Sequence, residues 1–288
     1  MNTDLSVSQL TGNITGATRP RVNLSDVRDI KLYLPPISEQ KRIVEILNEA
    51  FAAIDKAKAN VEKNLQNAKE LFESYLQNVF ANKGEDWEEK KIGQIATVDY
   101  GYTANSSTEG HYRYIRITDI DKNGELIKED KKYINSSKEA KGFVLNDNDL
   151  LMARTGATFA KVLLFKNYEP SIYASYLIKI NFIENIENEL YWYFTKTKYY
   201  WEQANSLTSG AAQPHFNGAA LKQVIFPYPK STNGQKEIIN KFKVLAIETK
   251  KLETIYQQKL NDLEELKKSI LQKAFNGELT SKKIREPA

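Results

Sequence analysis

The 288-residue sequence contains no cysteine, two histidines, two methionines and three tryptophans. Without cysteine there is no disulfide framework, no thiolate zinc site and no cysteine nucleophile. With only His111 and His215 available, a histidine-built metal centre or catalytic triad has little material. No uncharged apolar run approaches the roughly 18–20 residues that a membrane span needs. The opening Met1-Asn-Thr-Asp-Leu-Ser6 lacks the basic and apolar segments of a signal peptide. A soluble, cytoplasmic chain with no membrane partner is expected. Glycine-rich phosphate loops are missing as well, which argues against bound ATP or dinucleotide. Tyr33-Leu-Pro-Pro-Ile37 has two prolines but no Asn or Asp ahead of them, as base methylation would require. Asp121 with Glu129-Asp-Lys131 fits the spacing of a metal-dependent nuclease only loosely. Such matches arise by chance when 27% of residues are charged. The reading is a non-catalytic chain with no metal of its own.

What is present describes a folding chain: 41% of residues are hydrophobic and 11% aromatic. The net charge of +4 is mild, but its distribution is uneven. Residues 87–230 hold 18 Lys/Arg against 17 Asp/Glu, whereas 234–288 hold 12 against 8, so the surplus lies at the C-terminal end. Thirteen of the sixteen tyrosines fall between 87 and 230. Tyrosine offers a flat face and a hydroxyl at low entropic cost, which suits a recognition surface; a tyrosine-rich core is the competing explanation.

The chain repeats itself. Gly16-Ala-Thr-Arg-Pro-Arg-Val-Asn23 aligns with Gly210-Ala-Ala-Gln-Pro-His-Phe-Asn217, Leu34-Pro35 with Tyr228-Pro229, and, one inserted residue later, Gln40-Lys41 with Gln235-Lys236. Each copy leads into a long helix, predicted from about Ser38 to Phe80 and from about Gly234 to Phe275. Apolar or small residues recur in the first at Ile43, Leu47, Ala50, Ile54, Ala57, Val61, Leu65, Ala68, Leu71, Tyr75 and Val79. In the second they fall at Ile238, Phe242, Leu245, Thr249, Leu252, Tyr256, Leu260, Leu263, Leu266, Ile270 and Ala274. Alternating steps of four and three make a coiled-coil seam. Both series break step near their midpoints, at 57-61-65 and 252-256-260, a stutter that relaxes supercoiling. Two central stutters face each other in an antiparallel pair, so an antiparallel two-helix spacer is predicted; two amphipathic helices lying on separate domains are the alternative. At 1.5 Å per residue each helix would span on the order of 60 Å.

Between the copies lies an unrepeated block of short strands, at 91–98, 112–118, 149–154, 161–165, 174–180 and 223–226, with a helix from Glu187 to about Glu202. The fold class is therefore α+β: a mixed α/β domain plus two long helices in an antiparallel coiled coil. Within that block Arg113, Arg116, Arg154 and Lys161 stand beside Thr118, Thr155, Tyr102, Tyr114 and Tyr176. Arginine can pair bidentately with guanine, Asn and Gln with adenine, while hydroxyls, lysines and amides hold phosphates. Ser209, Gln213, His215 and Asn217 gather around a proline in what reads as an exposed loop. The structural alternatives are ordinary: salt-bridged strand arginines, a core Tyr114, and Gln213 to Asn217 capping a turn.

These residues resemble a known family. Leu34-Pro-Pro-Ile-Ser-Glu-Gln-Lys-Arg-Ile-Val44 is similar to the start of the long helix in DNA specificity subunits of type I restriction-modification systems. Asp86-Trp-Glu-Glu-Lys-Lys-Ile-Gly93, Arg113-Tyr-Ile-Arg-Ile-Thr-Asp119, Asp149-Leu-Leu-Met-Ala-Arg-Thr-Gly156 and Ala274-Phe-Asn-Gly-Glu-Leu279 resemble further segments of that family. The resemblance implies two target-recognition domains held apart by antiparallel helices, each reading half of a bipartite site on double-stranded DNA. It also implies partner methylation subunits carrying S-adenosylmethionine, and restriction subunits using ATP and Mg²⁺, with no cofactor on this chain. On that reading residues 1–37 are the tail of a first recognition domain, 38–84 the first spacer helix, 85–232 a complete recognition domain, 233–277 the second spacer helix and 278–288 a C-terminal tail. Glu39, Gln40 and Arg42 become candidates for partner binding. The second helix departs from the pattern, opening with Ser231-Thr-Asn-Gly-Gln-Lys236 where the family has Pro-x-x-Glu-Gln. Asn148 stands where the family has glycine, and Asn tolerates a left-handed turn. A homodimer, or pairing with a second specificity half, would restore two recognition domains; a regulatory fragment that competes for methylation subunits without reading DNA is the other expectation.

Overall fold

The computed structural model describes residues 11, 22–30, 34–121, 123–166, 168–208 and 215–280. They fall into two compact units, Glu70–Glu248, and Met1–Lys69 with Thr249–Ala288. Two helices contribute to both units: α2 at Ile37–Ala81 and α7 at Thr232–Phe275. A short α1 occupies Leu24–Arg28.

In the unit built from the first part of α2 and the last part of α7, the helices run antiparallel. Lys58 pairs with Glu264 at 2.6 Å and Asp55 with Lys267 at 3.1 Å, so the partner number climbs as the chain number falls. The Lys267 ammonium also lies 5.0 Å from the Phe51 ring. Ile54, Ala68, Thr249 and Ala274 are buried along the expected seam. The predicted stripe slips at three positions: Leu71, Leu252 and Leu266 are exposed at 49%, 36% and 47%. At those places Phe72, Glu253 and Lys267, one residue along, take the less exposed position.

Glu70–Glu248 holds nine strands in three sheets among the described residues. The order β2-β8-β5-β6 forms a four-stranded antiparallel sheet from Ala96–Tyr100, Leu177–Phe182, Leu150–Ala153 and Val162–Leu164. A second sheet, β4-β3-β7, joins Tyr133–Ile134, Tyr112–Ile115 and Ser171–Tyr173, its β3–β7 pair being parallel. The third pairs β1, Trp87–Lys91, with β9, Ile225–Pro229. Residues 92–95, expected in a strand, instead turn once as α3, because the chain must pass from the β1–β9 ribbon to the larger sheet. Ile92 and Ile95 are fully buried there.

The faces of the four-stranded sheet divide by the two-residue period of a strand. Ala96, Leu150, Met152, Ile178 and Ile180 point into a large core shared with Leu76, Phe80, Phe242 and the aromatic residues of α4, Asn188–Phe194. Leu151, Ala153, Leu163 and Leu177 point into a smaller one with Ile115 and Tyr173. The tyrosines divide: Tyr114, Tyr173, Tyr191, Tyr193, Tyr200 and Tyr228 are buried in the core, whereas Tyr100, Tyr168 and Tyr176 are exposed.

The predicted 187–202 helix is broken in two, α4 and then α5 at Lys198–Leu207. The hydroxyls of Thr195 and Thr197 donate to the carbonyls of Trp192 and Phe194 at 2.8 and 2.7 Å, and Thr197 accepts the Tyr200 N–H at 3.2 Å. Threonine thereby ends one helix and caps the next. Lys196, in the break, donates to the Asn123 carbonyl and lies 3.8 Å from the centre of the Trp192 ring. Burial pushes its ammonium down to about 8. A lysine whose folded value lies below its unfolded value, about 10.4, carries its full penalty below pH 8 and sheds it as the pH rises toward the unfolded value. The stability gap between wild type and Lys196→Met should therefore shift in favour of wild type between pH 8 and 10. Urea unfolding at several pH values checks this; a gap that stays constant would place the ammonium in water.

The two copies of the repeat share a hinge of hydrogen bonding. Gln40 Nε2 donates to the Pro35 carbonyl at 2.8 Å, and Gln235 Nε2 donates to the Pro229 carbonyl at 2.9 Å. In each case the amide ties the start of the long helix to the proline before it. Gln235 goes further: its Oε1 accepts the Glu187 N–H at 2.8 Å, its Nε2 also reaches the Asn185 carbonyl at 3.1 Å, and it is fully buried. Gln40 is exposed.

Candidate nucleic-acid interface

The β2-β8-β5 edge of the larger sheet ends in an aromatic and cationic cluster. Tyr100 ends β2, Tyr176 precedes β8 and Arg154 follows β5. The two-residue period places all three on the same face, beyond Ile178 and Met152. The Arg154 guanidinium carbon lies 5.4 Å from the Tyr100 ring centre and 5.1 Å from that of Tyr176. Its main chain is fixed on both sides, its N–H donating to the Tyr176 carbonyl at 3.1 Å and its carbonyl accepting the Phe216 N–H at 2.9 Å. Thr155 bridges to His215, and the Tyr100 hydroxyl accepts the Gly218 N–H at 3.0 Å. The strand ends and the 215–218 segment are thus laced together. Gly156 turns the chain at φ +77°, where a side chain would be strained.

The sequence-predicted residues divide on this geometry. Arg154, Tyr176, His215 and Asn217 come together; Thr155, next to Arg154, is a correction, since it is buried at 5% exposure and only its main chain bridges to His215. Lys161, half-buried, accepts the Ala153 N–H on its carbonyl at 2.9 Å. Thr118 is exposed, next to Ile117, whose carbonyl accepts the Thr158 hydroxyl at 3.3 Å. The Asn217 side chain accepts the Ala220 N–H at 2.9 Å as cap of α6, Gly218–Gln223. Tyr102 packs its ring 5.3 Å from Phe143 and gives its carbonyl to the Tyr114 hydroxyl. Ser209 and Gln213 lie outside the described residues.

Two arginines are corrections. Arg113 is only 2% exposed; it donates to the Ile127 carbonyl and lies 3.5 Å from Glu169. Arg116 grips Asp119 at 2.7 and 3.2 Å and bonds the Asp130 carbonyl at 3.0 Å. The Asp119 hydrogen bond, above all, raises the affinity of that guanidinium for its proton. Both side chains are engaged inside the protein by carboxylates. Nothing local in the sequence sets Tyr100 apart from other tyrosines; its place in the cluster comes from Arg154. Beside it lies a polar recess of about 330 Å³ lined by Asp99, Tyr100, Tyr173, Lys179 and Asn181. There Asn181 donates to Asp99 at 2.8 Å and Lys179 to Asp149 at 2.6 Å. Burial, then Asp99 and Asp149, pushes the Tyr173 hydroxyl up to about 12. At the helix start, Glu39 is half-buried and Arg42 exposed.

This arrangement of sheets and long helices is a known fold. It matches a structure concerned with complex assembly and conformational transition of the type I restriction-modification system, at TM-score 0.74 and 17% identity, over 96% of this chain and 69% of that one. The crystal structure of the HsdS subunit from Thermoanaerobacter tengcongensis matches at TM-score 0.65 and 19% identity, over 96% and 68%. The fold is that of type I specificity chains. Residues 4–65 and 84–265 match the type I restriction modification DNA specificity domain, and the chain belongs to that family. Among its relatives, the MjaVIII specificity subunit of Methanocaldococcus jannaschii is 23% identical over 305 residues, 97% of this chain and 69% of that protein. The EcoKI specificity subunit of Escherichia coli K12 is 26% identical over 273 residues, 88% of this chain and 58% of that protein. The chain thus spans 58–69% of the length of these relatives.

Proposed function

We propose that this chain binds DNA sequence-specifically and directs type I methylation and restriction subunits to a target half-site, doing no bond-making chemistry itself. The observation that carries this is the strand-end cluster of Arg154, Tyr100 and Tyr176, with His215 bridged alongside through the Thr155 main chain, where a cation and two exposed aromatic rings converge at one edge of the sheet. Sites built on strand ends hold recognition groups more accurately than sites on loops. S-adenosylmethionine, ATP and Mg²⁺ then belong to the partner subunits, and the assembly works in the cytoplasm. Glu39 and Arg42 would meet a methylation subunit, with Gln40 acting through the helix entry it ties to Pro35. A second specificity half, or a second copy, would supply the other half-site.

Arg154→Ala should weaken DNA binding by the assembled complex by about 1–3 kcal/mol at fixed salt. Footprinting and titration of the complex with methylation subunits test the proposal. Co-purification without a footprint on any duplex would leave the chain a regulatory fragment, and an unchanged affinity would remove Arg154 from the interface.

A further inference from the structure

Residues 70–248 contain three arginines. Arg113 and Arg116 are held by Glu169 and by Asp119 with Asp130. None of the described carboxylates pairs with Arg154, and its Nε is buried without an acceptor among them. Its neighbours are instead the faces of Tyr100 and Tyr176. Aromatic faces hold a guanidinium plane in place while leaving its edge open.

We infer that Arg154 reads a guanine in the major groove through its two terminal amino groups, and that Tyr100 and Tyr176 are positioning residues that aim it. The inference rests on the DNA-reading function proposed above. Three features carry it. The main chain of Arg154 is pinned at both its N–H and its carbonyl. The Tyr100 ring is fixed by the Gly218 N–H on its hydroxyl. Both rings nevertheless reach the surface, being 44% and 52% exposed, so the clamp opens outward. With Nε buried, the pair of Nη groups is the fork left for a base.

The chemistry then selects the base. A fork of two parallel donors needs two neighbouring acceptors, which guanine offers as O6 and N7. Adenine sets an amino donor beside N7, cytosine presents an amino donor, and thymine a single acceptor next to a methyl group. A phosphate contact carries no sequence information and is made as well by a mobile lysine, so it gives no reason for two rings to fix the plane.

The test is selection from a library of randomised DNA duplexes by the full chain assembled with its methylation subunits, comparing wild type with Arg154→Lys, Tyr100→Leu and Tyr176→Leu. Lysine keeps the charge and removes the fork. Wild type should enrich a motif in which Arg154→Lys lowers the preference for G·C at one position by at least about tenfold and leaves the other positions intact. Tyr100→Leu and Tyr176→Leu should loosen that same position. Arg154→Lys variants that keep the wild-type motif, or that flatten every position alike, would overturn the guanine contact while leaving the DNA-reading function standing. A wild-type complex that enriches no motif would overturn that function, and the inference with it.

Discussion

Phe242→Ala is expected to destabilise the Glu70–Glu248 unit by about 3–5 kcal/mol, the range for removing a buried phenylalanine ring. Phe242 is fully buried. Its ring centre lies 4.8 Å from Tyr193, 5.9 Å from Tyr75, 6.0 Å from Phe80 and 6.5 Å from Phe72. One side chain of the second long helix therefore packs on the first long helix and on α4 together. Edge-to-face and stacked pairs add to the burial, each on the order of 0.5–1.5 kcal/mol. Small neighbours could close a gap, but a wall of rings has little freedom to do so. Urea unfolding of the variant measures the effect; a loss below about 1 kcal/mol would mean that the ring is not packed in this core.

Arg113→Leu should lower stability by about 2–4 kcal/mol while leaving DNA affinity of the folded complex within about twofold. The leucine would leave the Ile127 carbonyl without its guanidinium donor in a site that admits almost no water. Glu169 would not be stranded, because Lys131 at 2.6 Å and the Tyr133 hydroxyl at 3.2 Å still hold it. That limits the cost below that of an orphaned buried charge. Unfolding and DNA titration on the same preparation separate the two effects. A large loss of affinity with stability intact would return Arg113 to the interface. Set beside Arg154→Lys, the pair distinguishes an arginine that holds the fold from one that faces outward.

The long helices were legible because a seam is a local pattern. Steps of three and four are read directly from neighbouring residues, and the antiparallel pairing of Lys58 with Glu264 and Asp55 with Lys267 agrees with them. The slips at Leu71, Leu252 and Leu266 show the limit of that rule: there Phe72, Glu253 and Lys267, one residue along, are the less exposed. The repeat was legible too, down to the glutamine that ties each helix to its proline.

The site was half legible. Arg113, Arg116 and Arg154 are one residue type in similar strand-like surroundings, and no local feature ranks them. Glu169 and Asp119 rank them, by coming within reach of two and not of the third. Tyr100 acquires a role only when β2 and β5 are brought to either side of β8. The amino-acid sequence alone determined the two long helices, their direction and the repeat, since these depend on spacing along the chain, and its motifs carried the resemblance to the family. Tertiary structure alone decided which two arginines carboxylates hold and which one lies between two rings instead. Charge pairing and burial depend on distances in space, and strand pairing brings together residues far apart in the chain.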